Sequence, residues 1–276
     1  MNYKRILTGF AFLIIWVVIL LLDNFWLLWL TCLALGGVMI NEFYNMVLRH
    51  HEKKDRLAGT MLALLPLIVS YKGDPEIVAA SLFVSLLLLI FYTLNRFPAL
   101  CRDNSNDAGL DLMLSLGFGV FYVGFCGSHF AMIMAKPLGV NWLIWITLMI
   151  AASDTGAYYT GKLMGKTKLC PSISPGKTRE GFLGGMIFTV SVSVAFSMTV
   201  FDQLPMTRMI PLTIIIFCVG VIGDLTVSII KRSMGVKDSG KSLPGHGGIL
   251  DRLDSVLLTI PILFYLLHFG FLPPSP

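Results

Sequence analysis

Long apolar runs, each broken by a short polar cluster, set the pattern of this chain. Crossing the hydrocarbon layer takes about 20 apolar residues as a helix. Nine runs are candidate spans: 6–22, 25–40, 57–71, 76–94, 110–135, 141–159, 181–201, 209–230 and 255–272. The third is short and holds Pro66. Lys4 and Arg5 precede the first run, but no small-residue cleavage pattern follows it, so it reads as a retained helix rather than a signal peptide. The pattern predicts an all-α polytopic membrane protein with about nine transmembrane helices.

Composition agrees. The 276 residues are 55% apolar and only 13% charged, against about 25% charged in an ordinary soluble domain. Such a chain cannot cover its own surface with polar groups and needs lipid as solvent. The net charge of +5 does not point to nucleic acid, because the basic residues lie between apolar runs and form no aromatic-interleaved stripe. Topology accounts for them. With the N-terminus in the cytoplasm, the cytoplasmic segments hold Lys4, Arg5, Arg49, Lys53, Lys54, Arg56, Arg96 and Arg102. They also hold Lys162, Lys166, Lys168, Lys177, Arg179, Lys231, Arg232, Lys237, Lys241 and Arg252. Of the 21 basic residues only Lys72, Lys136 and Arg208 fall on the other side. This bias fits the positive-inside rule and predicts an N-terminus inside and a C-terminus outside.

The five cysteines form no CxxC pair and read as reduced thiols packed in or near helices. His50 and His51 lie in a charged loop and read as solvated. No internal repeat stands out, which weakens an inverted-repeat transporter reading. Residues 1–140 are apolar helices joined by loops without recognisable chemistry. Residues 141–276 carry two polar loops, 160–181 and 231–254, flanked by acids in the membrane. Function is expected there.

Asp154 lies roughly 18 Å into the sixth span counted from Trp142, and Asp224 about 22 Å beyond Met209 in the eighth, at about 1.5 Å per residue. Asp251 and Asp254 open the ninth from the cytoplasmic side. The four acids approach one depth. An ionised carboxylate in a membrane is costly unless offset, so each is a candidate for function, the bland alternative being a packing pair with Lys or Arg. Asp251 and Asp254 share a helix face, as do Asp224 and Ser228, with Lys231 one turn further on. Oxygen ligands from several helices suit a hard cation such as Mg²⁺.

The first loop contains Gly165-Lys166-Thr167 and Gly176-Lys177-Thr178. A P-loop needs another glycine five residues before the Gly of the triplet, and those positions are Thr160 and Pro171. That reading fails. The ingredients of a phosphate site remain: Ser174, Lys177, Thr178 and Arg179 stand just before a helix whose N-terminal amides favour anions. The second loop holds Gly245, His246, Gly247 and Gly248, where backbone can approach a ligand closely. His246 could bond a phosphate or a base, or simply hold the loop.

The stretch Ser228 to Asp254, S-I-I-K-R-S-M-G-V-K-D-S-G-K-S-L-P-G-H-G-G-I-L-D-R-L-D, resembles the phosphatidate cytidylyltransferase (CDP-diglyceride synthase) family. So do S-D-T-G-A-Y from Ser153 and S-P-G-K-T-x-E-G from Ser174, so that specific similarity covers about 150–255. One departure is Arg179, where the family usually carries an aromatic residue. The resemblance implies attack by a phosphatidate oxygen on the α-phosphorus of CTP, loss of pyrophosphate and a need for Mg²⁺; the carboxylates themselves leave room for a second, monovalent cation such as K⁺ without identifying it. On that basis Asp224, Asp251 and Asp254 are expected to hold metal, and Asp154 is a further ligand or a partner of a cation. Lys177, Lys231, Arg232, Lys237 and Arg252 would steady phosphates, with Ser228, Asp238, Lys241, Gly247 and Gly248 completing the substrate set. The nucleophile is already an anion, so no general base is required. The resemblance suggests a homodimer, the two substrates suggest a site facing the cytoplasm, and the absence of organelle-type extensions points to a bacterial inner membrane. The rivals are an ion-coupled or lipid transporter, which leaves the Gly-Lys loops unexplained, and another CTP-dependent lipid kinase or transferase. A CDP-alcohol phosphotransferase would carry a D-G-x-x-A-R motif that this chain lacks.

Overall fold

In a computed structural model, residues 3–101, 107–201, 204–243, 245 and 247–271 are described. The chain forms two compact units, Met1–Met132 with Val236–Arg252, and Ile133–Gly235 with Leu253–Pro276.

The first unit contains α1 (Tyr3–Leu21), α2 (Phe25–Val47), α3 (Lys53–Val69), α4 (Pro75–Leu100) and α5 (Ala108–Gly119). A π-helical turn, Val120–Phe125, leads on into α6 (Cys126–Met134). Side chains start these helices. Asn24 accepts the Leu27 N–H at 3.0 Å, and Asp74 accepts the Glu76 N–H at 2.8 Å with Pro75 already in the first turn. α3 stays helical through Pro66. A proline there cannot bond the carbonyl four residues back, that of Leu62, and the Ser85 hydroxyl of α4 donates to that carbonyl at 2.9 Å instead. In a lipid-facing protein such a repair matters, since water is not there to make it.

The core of this unit closes on Tyr44. Its hydroxyl donates to the Leu116 carbonyl at 2.9 Å. A Cβ at Gly59 would lie 2.8 Å from its ring and one at Gly119 2.6 Å, so these glycines are required by close approach. At the polar end, Arg96 donates from Nε to buried Asp55 at 2.7 Å and from Nη2 to Glu52 at 2.7 Å, while the Tyr92 hydroxyl donates to Asp55 at 2.7 Å. Burial works against the Asp55 carboxylate, but the bonds from Arg96 and Tyr92 prevail and hold it below the usual carboxylate range.

The second unit contains α7 (Gly139–Met164), a hairpin of β1 (Lys168–Cys170) and β2 (Ser174–Thr178), α8 (Arg179–Val200), α9 (Met206–Ser233) and most of α10 (Leu250–His268). α7 and α8 touch through glycine. A Cβ at Gly156 would stand 3.1 Å from the Gly184 carbonyl oxygen, and one at Gly185 3.0 Å from that of Ser153. Small residues allow this approach, the usual way for helices to associate in lipid. A buried polar chain binds three helices: Trp145 Nε1 donates to Ser193 Oγ at 3.0 Å, and Ser193 shares a 2.6 Å bond with Thr213 Oγ1.

Five described helices are long and apolar enough to cross a bilayer: Phe25–Val47, Pro75–Leu100, Ala108–Met134, Arg179–Val200 and Met206–Ser233. Phe83, Phe91, Ile187 and Met198 are each about two-thirds exposed or slightly less, as lipid-facing side chains are. The fold is that of an all-α membrane protein. Two features depart from the pattern expected from sequence. The fifth apolar run is not one uniform α-helix, because the chain widens into the π-helical turn. The first polar loop also contains a β-hairpin, closed by the Ile173 N–H on the Cys170 carbonyl at 3.2 Å and extended by the Arg179 N–H on Thr167 at 2.9 Å.

Candidate functional site

In the second unit the hairpin feeds directly into α8. Thr178, buried at the junction, caps α8 by accepting the Gly181 N–H at 3.0 Å. Its hydroxyl, expected on substrate, accepts this capping bond and keeps its own proton to donate. Strand alternation sends Lys177 to the other face, where its Nζ pairs with the Asp224 carboxylate of α9. Glu180, one residue into α8, receives the N–H groups of Lys166 at 3.1 Å and Thr167 at 3.2 Å and fixes the hairpin's base. Arg232, at the end of α9, donates from Nε to the Ile173 carbonyl at 3.4 Å. Ser174 is half-buried at the start of β2, Ser228 is half-buried one turn from Asp224, and Arg179 is exposed.

Lys177 and Asp224 line a cavity with Ser153, Asp154 and Ser255, walled on its apolar side by α7 and α9. Its volume is about 20 Å³, room for one water-sized species. Buried Asp254 stands beside it on α10, next in sequence to Ser255, and feels the charges of Asp224, Lys231 and Asp154. A Cβ on Gly223 of α9 would stand 2.5 Å from the Asp254 carbonyl oxygen, so glycine lets α10 bring this acid close to α9. Asp154, Asp224, Asp254, Lys177 and Lys231 thus form one electrostatic neighbourhood.

The fourth acid is used differently. In the first unit, Asp251 Oδ2 accepts the Ser239 N–H at 2.8 Å and the Gly248 N–H at 3.0 Å, tying the glycine-rich loop back on itself. Gly247 holds a left-handed φ of 86°, and the Leu243 N–H bonds its carbonyl at 2.9 Å. Lys237, Asp238, Lys241 and Arg252 are exposed, while His246 lies outside the described residues. Among the described residues no group of three His, Cys, Asp or Glu side chains is poised to hold a metal ion. Asp251 ties its own loop in the first unit, while Asp224 and Asp254 belong to the second.

Magnesium needs less than a triad. It takes one or two carboxylates and leaves its remaining positions to water and phosphate oxygens. The donors around the cavity, Asp154 and Asp224 with the Ser153 and Ser255 hydroxyls, are all hard oxygens and fit that ion. Sequence reasoning passed over Ser153 and Glu180. It also missed Glu42 of α2, whose signal was a lone acid beside an apolar run.

The chain matches the model of the cytidylyltransferase family over residues 3–270. It is similar to the phosphatidate cytidylyltransferase of Bacillus subtilis (strain 168), 34% identical over 272 residues that cover 96% of this chain and 97% of that one. A protein of the same name from Staphylococcus haemolyticus is 35% identical over 268 residues, 95% of this chain and 98% of its own. Another, from Staphylococcus aureus (strain COL), is 35% identical over 272 residues with the same coverage.

Proposed function

This chain belongs to the cytidylyltransferase family, and we infer that it transfers the cytidylyl group of CTP to phosphatidate, yielding CDP-diacylglycerol and pyrophosphate. A phosphatidate phosphate oxygen forms a bond to the α-phosphorus of CTP. The bond from that phosphorus to the bridging oxygen breaks, and the electron pair leaves with pyrophosphate. No proton has to move first. The protein's task is to hold two polyanions in line and offset their charge.

The observation that carries this reading is the Lys177–Asp224 pair in a cavity shared with Asp154, Ser153 and Ser255. Lys177 stands ready to bind a phosphate oxygen, and Lys231 and Arg232 add cations at the end of α9. Asp224 and Asp154, with Asp254 beside them, would hold Mg²⁺. When bound, that ion supplies Lewis-acid neutralisation of the phosphates. In the first unit, the glycine-rich loop offers Lys237, Lys241 and backbone amides as a second phosphate-binding element, suited by its exposure to the soluble substrate, CTP.

For topology, we read nine spans with the N-terminus in the cytoplasm. Among the described residues, nine helical rods support this if α5, the π-turn and α6 count as one. The inward-biased charge adds support, and so do Lys136 and Arg208, which bond His268 at 3.0 Å and the Phe271 carbonyl at 2.8 Å. The site then faces the cytoplasm of a bacterial inner membrane, where CTP and lipid headgroups meet. The test is an assay of the purified chain in detergent with labelled CTP, phosphatidate and Mg²⁺. Lipid-soluble CDP product is expected. Its absence from well-folded protein overturns the reading.

A further inference from the structure

Glu42 lies on α2, in the half of the chain where sequence offered no chemistry, and it is only 5% exposed. A carboxylate so placed needs hydrogen-bond donors. It finds three, all in the glycine-rich loop of the same unit. The Ile249 N–H donates to Oε1 at 3.1 Å and the Leu250 N–H to Oε2 at 2.9 Å. The Ser239 hydroxyl donates to Oε2 at 3.3 Å. Ile249 and Leu250 are where α10 begins, so a side chain from a distant helix satisfies amides that a helix start leaves unpaired.

Asp251 closes the same loop from the other side, on the N–H groups of Ser239 and Gly248. Ser239 is thus held twice, by its amide on Asp251 and by its hydroxyl on Glu42. The glycines fit this clamp. A Cβ at position 240 would lie 2.7 Å from Glu42 Oε1 and 2.8 Å from its Cδ. One at 248 would overlap Glu42 Oε2 and the Ser239 hydroxyl. Neither glycine has a positive φ, so it is the approach of Glu42 that excludes a side chain there.

We propose that Glu42 is the positioning residue of the CTP-binding loop, fixing Ser239 to Leu250 from α2 without touching substrate itself. The proposal rests on the reading above that this loop binds the triphosphate. The shape of the loop decides where Lys237, Lys241 and the glycine amides stand, and Glu42 sets that shape through the backbone.

The test uses the full-length chain in detergent. Glu42→Gln keeps the volume but turns an NH₂ towards at least one of the donors. The expected result is a KM for CTP raised about tenfold, the scale of one lost charged hydrogen bond, with the KM for phosphatidate within about twofold of wild type. A general folding defect would lower the amount of active enzyme and leave both KM values alone. Gly240→Ala should raise the CTP KM in the wild-type background but add nothing to Glu42→Ala, because the clash partner is gone. An unchanged CTP KM in Glu42→Gln, or equal effects of Gly240→Ala in both backgrounds, overturns the proposal. Should Glu42→Gln not fold, Gly240→Ala, which keeps the acid, decides on the same CTP KM.

Hydrogen exchange at Ile249 and Leu250 reads the tie without any activity. Faster exchange in Glu42→Gln supports it and unchanged exchange overturns it. A wild-type chain that makes no CDP-lipid would sink the functional reading while leaving this second readout intact.

Discussion

Lys177 on β2 and Asp224 on α9 form an ion pair in the lining of a cavity that Asp154 also lines. Both are expected to act on the phosphates, the lysine directly and the acid through Mg²⁺. Lys177→Ala and Asp224→Asn should each lower kcat by about 10²-fold or more. Their double variant should be little worse than the poorer single, because groups that act as a unit are not additive. Steady-state rates at saturating CTP and phosphatidate check this, and additive losses would mean two independent roles.

Chelation tests the metal. EDTA should abolish turnover and excess Mg²⁺ should restore it. Asp224→Asn should need a higher Mg²⁺ concentration for half-maximal rate, and Asp251→Asn should loosen the loop that its carboxylate ties. A Mg²⁺ titration of the two variants side by side separates ligand from loop anchor.

Gly223 lets α10 approach α9 at Asp254. Gly223→Ala places a Cβ against the Asp254 carbonyl oxygen, a backbone atom that cannot step aside. Overpacking of this kind costs about 1–3 kcal/mol. A lower Tm in detergent, together with reduced kcat, is the expected result. An unaltered Tm would mean that α10 shifts freely.

Arg96 neutralises buried Asp55. Arg96→Met leaves that carboxylate without its cation, a loss of about 3–5 kcal/mol, and should lower the Tm sharply. Adding Asp55→Asn should recover part of the loss. Thermal unfolding followed by circular dichroism checks both.

The same cluster sets an acid limit. Asp55 is held below its ordinary value of 3.8 by Arg96 and Tyr92, against the pull of burial. Exposed Glu52 is lowered too, first by Lys54 and then by Arg96. A carboxylate whose folded pKa is depressed stabilises the fold above its unfolded value, and that contribution fades as pH falls through the folded one. The Tm of wild type should therefore fall as pH drops below about 4. Asp55→Asn with Arg96→Met should flatten that acid limb.

Orientation is testable in a cysteine-free background. Cysteines at positions 54 and 241 should react with an impermeant maleimide only from the cytoplasmic side, and one at 136 only from outside.

Much of the site was legible because its chemistry is local. Asp154 and Asp224 were recognisable as charges that lipid would not tolerate without a purpose, and Lys177 and Lys231 as cations in the polar segments beside them; the cavity brings Asp154, Asp224 and Lys177 together. Thr178 and Asp251 were recognisable as polar but not by role. A threonine before a helix can cap or bind, and an aspartate in a helix's first turn can hold metal or backbone. The partners that the fold supplies are visible only in the structure. Here they are the Gly181 amide in one case and the Ser239 and Gly248 amides in the other.

By itself the sequence determined that this chain is helical and lives in lipid. Apolar length and scarce charge are properties of single segments and need no partner to be read. It also determined the family, through motifs whose residues are close neighbours in the chain. What only tertiary structure decided is which distant segments meet. The loop from Val236 to Arg252 folds with the first unit rather than with the helices around it in sequence. A single buried acid, Glu42, helps to hold it there with three hydrogen bonds. The bonds that set its shape run between a side chain and amides far apart in sequence. No periodicity or motif encodes such pairs. They arise because a buried carboxylate and the unpaired amides of a helix start each need what the other supplies.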